Sequence, residues 1–161
     1  MTELEPYTLG PEEGEALWFF GTLAVFKATA EQTGERFSLI EQYGRKGMAT
    51  PLHRHAQDDE TFYVLEGELT VYFEDQKPRK VSAGGFAHVP AGAVHAFQVD
   101  SDTAHWLDLT TPQHERFFRA AGEPAQSRTI PPETPPDMEK VQAAASEFGA
   151  EILGPPPGAG G

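Results

Sequence analysis

Residues 47–67 read GMATPLHRHAQDDETFYVLEG, a stretch that joins two strand-like segments through a polar turn. His53 and His55 are separated by one residue, and positions i and i+2 of a strand point to the same face. Their imidazole rings therefore enter the same space, about 6 to 7 Å apart along the strand. The polar connection of residues 56–59 can turn the chain and return the carboxylate of Glu60 to that space. This arrangement predicts two strands that share one polar pocket.

A second segment, residues 84–95 (GGFAHVPAGAVH), adds a turn at residues 90–92 and then a histidine, His95, at the start of a strand. Three imidazoles and one carboxylate suit a divalent transition metal, with no soft ligand present. Four protein ligands leave two positions of an octahedron open, as in a catalytic rather than a closed structural site. The predicted metal ligands are His53, His55, Glu60 and His95. Nickel, cobalt, iron, manganese, copper and zinc all remain open as the ion.

Outward from these segments, residues 17–109 consist of short β-rich runs separated by turns rich in glycine, proline and aspartate. Many short strands at a spacing of roughly 8–12 residues predict an all-β sandwich or barrel. The alternation in residues 68–74 places Leu69, Val71 and Phe73 on the buried face of one strand.

Beyond the β-rich region the pattern becomes helical. Pro112–Ala121 has proline in its first turn and glycine after its end, which predicts a short helix. A proline-rich connector, residues 130–136, precedes a second helical pattern over residues 137–148, with Asp137 as its cap. We therefore expect a single domain. Its predicted parts are an N-terminal arm (1–16), a β-barrel (17–109), a helical appendage (110–150) and a flexible tail (151–161).

Composition restricts the classes of partner. The chain has 161 residues with 25 acidic and 12 basic side chains, a formal net charge of −13, and no cysteine. A surface with this much negative charge repels nucleic acid and anionic membranes. We therefore expect neither as a partner. The absence of cysteine excludes disulfides, thiolate nucleophiles and iron–sulfur clusters. The acidic N-terminus and the shortness of the longest apolar run, Ala16–Phe26, predict a cytoplasmic protein.

Both segments resemble the two signature motifs of the cupin superfamily. The positions of the first motif are Gly47, His53, His55, Glu60 and Gly67, and those of the second are Gly84, Pro90, Gly92 and His95. The second motif ends in asparagine in the family, and Val99 takes that place here. The resemblance implies an all-β, antiparallel jelly-roll barrel with the metal inside. It also implies a homodimer, because cupin barrels commonly pair through their sheets.

A narrower resemblance is to the bacterial single-cupin quercetin 2,3-dioxygenases, in which a helix bearing Glu-Arg-Phe-Phe follows the barrel. Here that helix carries Glu115, Arg116, Phe117 and Phe118. The resemblance implies a metal-dependent dioxygenase that opens the ring of a flavonol or similar enolic aromatic substrate with O2. Glu60 would then orient or deprotonate the substrate hydroxyl as a catalytic residue.

Two other functions are open for the same motifs. One is a metal-dependent isomerase, cyclase or lyase, and the other is a non-catalytic cupin that binds a small molecule through its metal. The remaining histidines are expected to be ordinary: His88 at a strand end or rim, His105 in a strand with a pocket-facing position as the alternative, and His114 solvated near a helix start. Phe117 and Phe118 either pack the helix onto the barrel or cover the pocket.

Overall fold

Short strands joined by tight turns make up most of the computed structural model, which describes residues 3–158. The strands are β1 (Glu15–Phe19), β2 (Thr22–Ala28), β3 (Ser38–Arg45), β4 (Leu52–His55), β5 (Glu60–Glu66), β6 (Glu68–Phe73), β7 (Arg79–Ser82), β8 (Phe86–Val89), β9 (His95–Val99), β10 (Thr103–Thr110), β11 (Glu123–Pro124) and β12 (Ala150–Gly154). The helices are α1 (Ala30–Thr33), α2 (Pro112–Ala121) and α3 (Met138–Phe148). None of the helices in this described part is long and apolar enough to cross a membrane.

Two antiparallel sheets carry the fold. One has seven strands in the order β11-β1-β2-β3-β10-β5-β8, and the other has five in the order β12-β4-β9-β6-β7. The largest apolar cluster contains residues from both sheets, such as Phe62 on β5, Val71 on β6 and Trp106 on β10. Apolar side chains on the facing surfaces of two sheets are what holds such a structure together. The predicted all-β jelly-roll with a small helical part is confirmed.

The two longer helices pack against the sheets and against each other. Thr111 caps α2 through its side chain, and the bounds of α2 match the sequence prediction. Asp137 caps α3, as expected. Phe118 packs into a cluster with β1, β2 and β3, and Phe117 packs against α3. Both helices therefore contribute to the apolar core.

The predicted flexible tail is wrong for residues 151–154. Gly149 adopts φ +76°, which allows the chain to reverse after α3. The following strand, β12, then pairs with β4, with Ile152 opposite His53. The pairing gives the otherwise free edge of β4 a hydrogen-bonded neighbour, and an unpaired edge is unfavourable. Residues 159–161 of the predicted tail lie outside the described part of the chain.

Candidate metal centre

The two sequence motifs meet because β4 and β9 pair antiparallel, with His53 opposite His95. Their ring centroids are 4.3 Å apart. His55, two residues farther along β4, has its ring centroid 5.0 Å from that of His53 and 5.7 Å from that of His95. The three imidazoles therefore converge on one space, as the alternation of a strand predicts.

The carboxylate comes from the other sheet. Glu60 is the first residue of β5, and its Oε1 lies 3.3 Å from Nε2 of His95. The four predicted ligands can each offer an atom such that all four atoms lie within 4.8 Å of one another. His55, Glu60 and His95 are buried, with 3%, 4% and 1% of their surface exposed. The cluster is therefore placed between the sheets and shielded from solvent.

Hydrogen bonds at the outer nitrogens set the proton positions on two of the rings. Nδ1 of His53 lies 2.7 Å from the carbonyl oxygen of Pro51, and Nδ1 of His95 lies 2.9 Å from that of Ala93. A carbonyl oxygen only accepts, so each Nδ1 carries the proton and each Nε2 presents a lone pair. Both nitrogens of His55 are buried without a partner in the described structure. Lone pairs that converge in a buried space suit a cation, and the donor set fits a divalent metal.

Burial keeps the imidazoles of His53 and His55 neutral. Burial, reinforced by the neighbouring His95, lowers the pKa of His53 to about 4. Burial, reinforced by His114, lowers the pKa of His55 to about 2. Burial by itself would raise the pKa of Glu60, but the neighbouring His114 holds that pKa well below its usual value. Neutral imidazoles and an ionised carboxylate are the forms that bind metal ions.

The prediction that His114 is solvated is wrong. His114 is 3% exposed, and its Nε2 lies 2.7 Å from Oε2 of Glu60. It lies one turn before Phe117 and Phe118, so all three share the face of α2 that packs on the barrel. The spacing of three and four residues from His114 to Phe117 and Phe118 is the sequence pattern from which the burial of His114 could have been predicted. The expectation fails because the whole helix packs over the cluster.

Asp108 is a buried polar residue that the sequence reasoning missed. It is fully buried on β10, and neither carboxylate oxygen has a partner within residues 3–158. Its oxygens belong to a second group with Glu60 and His114, whose ligand atoms lie within 4.8 Å of one another. Burial and the charge of Glu60 raise the pKa of Asp108 well above its usual value. Asp108 alternates with Trp106 and Thr110 along β10, and this alternation is the sequence pattern that places Asp108 on the inner face.

A narrow aromatic cavity opens onto the histidines. It has a free volume of about 50 Å³, room for a few water molecules. Its aromatic lining consists of Phe19, Phe20, Phe97, Phe117 and Phe118. A wider cavity of about 390 Å³ lies beside it and shares the lining residues Phe20, Met48, Pro51 and Ile152. These shared residues therefore lie between the two cavities.

Residues 40–110 match the family described as the Cupin domain. The chain therefore contains a cupin domain. It is 33% identical over 127 residues to the quercetin 2,3-dioxygenase of Bacillus subtilis (strain 168), a match that covers 78% of this chain and 37% of that protein. Matches to three curated relatives cover 37%, 51% and 38% of their lengths, so the chain spans between about a third and about half of those proteins.

Solved structures agree with the cupin assignment. The polyketide cyclase RemF from Streptomyces resistomycificus has a TM-score of 0.52 at 25% identity, over 63% of this chain and 70% of that one. A putative sugar phosphate isomerase from Acidithiobacillus ferrooxidans has a TM-score of 0.50 at 25% identity, over 63% and 69% of the two chains. Proteins with a similar fold therefore carry names from different reaction classes.

Two other histidines of this cupin lie away from the cluster. His88 is exposed on β8, where its Nδ1 lies 2.9 Å from Oγ1 of Thr61. The ring of His105 stacks on Tyr43 with centroids 4.0 Å apart, and its Nε2 lies 3.4 Å from Glu41. Neither side chain lines the narrow cavity. The pocket-facing alternative for His105 is therefore wrong.

The departure from the second cupin motif leaves the cluster intact. Val99, in the place of the family's asparagine, is 2% exposed and pairs with Leu69 across β9 and β6. It belongs to the apolar core at the far end of β9 from His95. The substitution therefore affects the packing of a strand end rather than the ligand set.

Proposed function

We propose that this cupin is a metal-dependent dioxygenase that opens the ring of a flavonol or a similar enolic aromatic substrate with O2. The observation that carries the proposal is the convergence of three imidazoles and one carboxylate at the inner end of an aromatic cavity. The similarity to a quercetin 2,3-dioxygenase supports it.

His53, His55, Glu60 and His95 would hold the ion in this proposal. The geometry favours Nε2 as the donor atom of His53 and His95, since their Nδ1 atoms are already hydrogen-bonded to carbonyl oxygens. A divalent ion bound there supplies a Lewis acid that lowers the pKa of a hydroxyl group beside it. Nickel, cobalt, iron, manganese, copper and zinc all suit nitrogen and oxygen donors.

Glu60 has the second role in the proposal, as the group that orients a substrate hydroxyl and accepts its proton. Its lowered pKa keeps the carboxylate deprotonated and available as an acceptor. The same lowered pKa makes Glu60 a weak base, so transfer requires an acidic hydroxyl. Enolic and phenolic hydroxyls meet that requirement better than aliphatic alcohols do.

The aromatic side chains would bind and shield a flat substrate. Phe97 rises from β9 beside His95, and Phe117 lies with its ring centroid 6.1 Å from that of His55. Rings favour offset or edge-to-face contacts with other rings at such separations. Since the free volume is about 50 Å³, a bicyclic substrate requires movement of the residues that lie between the two cavities.

A cyclase, isomerase or lyase is the second candidate, and two observations favour it. RemF, a polyketide cyclase, shares 25% identity and the barrel fold. The narrow cavity also suits a small substrate without rearrangement. This candidate uses the same ligands and the same Lewis acid but consumes no oxygen.

Oxygen uptake separates the candidates. The protein is stripped of metal, reloaded with each of the six ions, and given quercetin and a panel of smaller enolic aromatics in an oxygen electrode. Uptake with incorporation of both atoms of labelled O2 into the product supports the dioxygenase. Absence of uptake with every ion and substrate refutes it. Substrate turnover without uptake favours the second candidate, and a ligand-dependent thermal shift without product indicates a binding module.

A further inference from the structure

We propose that His114 is a positioning residue that holds Oε2 of Glu60, so that the carboxylate offers only Oε1 to the metal. The inference rests on the metal centre of the proposed function and adds a residue from outside both cupin motifs. His114 comes from α2, whereas the four ligands come from β4, β5 and β9.

The carboxylate of Glu60 lies between two imidazoles, and the two contacts differ in kind. Nε2 of His95 is 3.3 Å from Oε1, but the proton of His95 is on Nδ1, which bonds to Ala93. That contact therefore brings two lone pairs together, an arrangement that a cation stabilises. Nε2 of His114 is 2.7 Å from Oε2, the length of a charge-assisted hydrogen bond. His114 thus donates to one oxygen, while the other oxygen faces the imidazole cluster.

The proton of His114 is assigned by its surroundings. Its Nδ1 is buried and has no partner among the described residues, whereas its Nε2 faces a carboxylate oxygen that can only accept. The tautomer with the proton on Nε2 makes the one hydrogen bond that this site offers.

The packing of α2 fixes the orientation of the His114 ring. Its backbone N–H donates to the side chain of Thr111, the cap of α2. Its ring lies nearly parallel to Phe117, with centroids 5.7 Å apart, and edge-on to Phe118, with centroids 5.0 Å apart. A ring packed between two phenyl groups loses little freedom when it binds Glu60. This rigidity is what a residue that orients a ligand requires.

One consequence concerns the number of open positions on the metal. A carboxylate with both oxygens free can bind an ion through both of them. With Oε2 held by His114, Glu60 occupies a single position, and the remaining positions stay open for substrate and a second reactant. Loss of the Nε2 donor of His114 would release Oε2 of Glu60. This would change both the coordination of the metal ion and the affinity of the protein for it.

The test compares His114→Phe, which removes the donor, with His114→Gln, whose amide can replace Nε2 as the donor. His88→Phe is the matched control, since it removes an exposed histidine from β8. Each full-length protein is titrated with Co²⁺, and both the affinity and the d–d absorption spectrum are recorded. We expect His114→Phe to weaken binding about 10- to 100-fold and to alter the spectrum. We expect His114→Gln and His88→Phe to resemble the wild type.

A measurement on the metal-free wild type keeps the test independent of variant folding. Imidazole ¹⁵N NMR is expected to show the proton of His114 on Nε2. A proton on Nδ1 overturns the inference, as does a His114→Phe protein with the wild-type affinity and spectrum. If His114→Phe binds Co²⁺ like the wild type, the proposed metal centre is retained and the role of His114 is refuted. A wild type that binds no Co²⁺ refutes the metal centre itself.

Discussion

His53 and His95 face each other across the pairing of β4 and β9, with ring centroids 4.3 Å apart. This single pair joins the two halves of the candidate site, which come from motifs far apart in the sequence. A shift of one residue in the pairing would turn one ring to the opposite face of the sheet. The register of two short strands therefore decides whether the donors converge.

The double variant His53→Ala, His95→Ala is expected to lose nearly all bound metal, because it removes two of the four donors and both fixed Nε2 atoms. Elemental analysis of the purified protein measures the loss. His88→Ala, which removes an exposed histidine, should keep the wild-type metal content. Full metal content in the double variant would show that the ion binds elsewhere.

Acidification is expected to destabilise the metal-free protein from about pH 6.5 down to about pH 4. The unfolded chain binds protons at histidine near pH 6.5, whereas the folded protein has a pKa of about 4 at His53 and about 2 at His55. Stability is therefore lost as the pH falls, by up to about 1.4 kcal/mol per pH unit for each group. The raised pKa of Asp108 has the opposite effect on stability. The folded protein holds the Asp108 proton more tightly than the unfolded chain does, so this stabilisation is lost as the pH rises.

Urea unfolding in the presence of a chelator, at several pH values, tests this dependence. The difference between the wild type and His55→Gln isolates one histidine, because the other titrating groups are common to both proteins. The wild type should lose more stability than the variant over this interval. Parallel profiles would contradict the lowered pKa of His55.

Glu115→Ala is expected to lower the free energy of unfolding by about 2–4 kcal/mol. The carboxylate is buried and accepts hydrogen bonds of 2.9 Å from the backbone of Ala30 and the hydroxyl of Ser38. Removing it leaves buried donors unpaired and loosens α2. Arg116→Ala, which breaks an exposed ion pair with Glu35, should cost less than about 1 kcal/mol. Denaturant unfolding measures both, and equal costs would contradict this role.

Gly67→Ala is expected to destabilise the barrel by about 2 kcal/mol or more. Gly67 has φ +82°, and a Cβ there would lie 2.4 Å from the carbonyl oxygen of Thr103. Gly154→Ala is the control, since a Cβ there meets no atom within 4 Å. Thermal unfolding of the two variants provides the comparison. A melting temperature for Gly67→Ala as high as that of Gly154→Ala would contradict the steric argument.

The predicted homodimer has a candidate interface on the outer face of the seven-stranded sheet. Phe86 is 62% exposed, and it pairs with Tyr63, which is 45% exposed. Adjacent exposed rings favour burial against another surface. If this protein dimerises through that face, Phe86→Glu should shift it toward the monomer in sedimentation velocity. Leu153→Glu, at an exposed position of the other sheet, should not. A wild-type monomer, or a dimer unaffected by Phe86→Glu, would contradict this interface.

Local pattern was sufficient for much of the fold. The alternation in β6 correctly placed Leu69 and Val71 in the core, and the bounds of α2 followed from its proline and its terminal glycine. The shared face of His53 and His55 also follows from the period of a strand. Each of these features depends on residues close together in the sequence.

The roles of His114, Asp108 and β12 depend on contacts between distant segments. In isolation, His114 is one polar residue near a helix start, and Asp108 is one acid in a strand. Only the packing of α2 over the barrel brings His114 to Oε2 of Glu60 and buries both. The strand β12 forms because the edge of β4 is available for pairing. The residues of β12 alone do not predict this pairing.

The sequence by itself determined which donor atoms this cupin has and that a strand brings two of them together, because ligand chemistry and strand periodicity are local properties. Only the tertiary structure decided which oxygen of Glu60 faces the imidazoles and which faces His114. Burial, register and helix packing set that choice, and each arises from contacts between segments that are far apart in the chain.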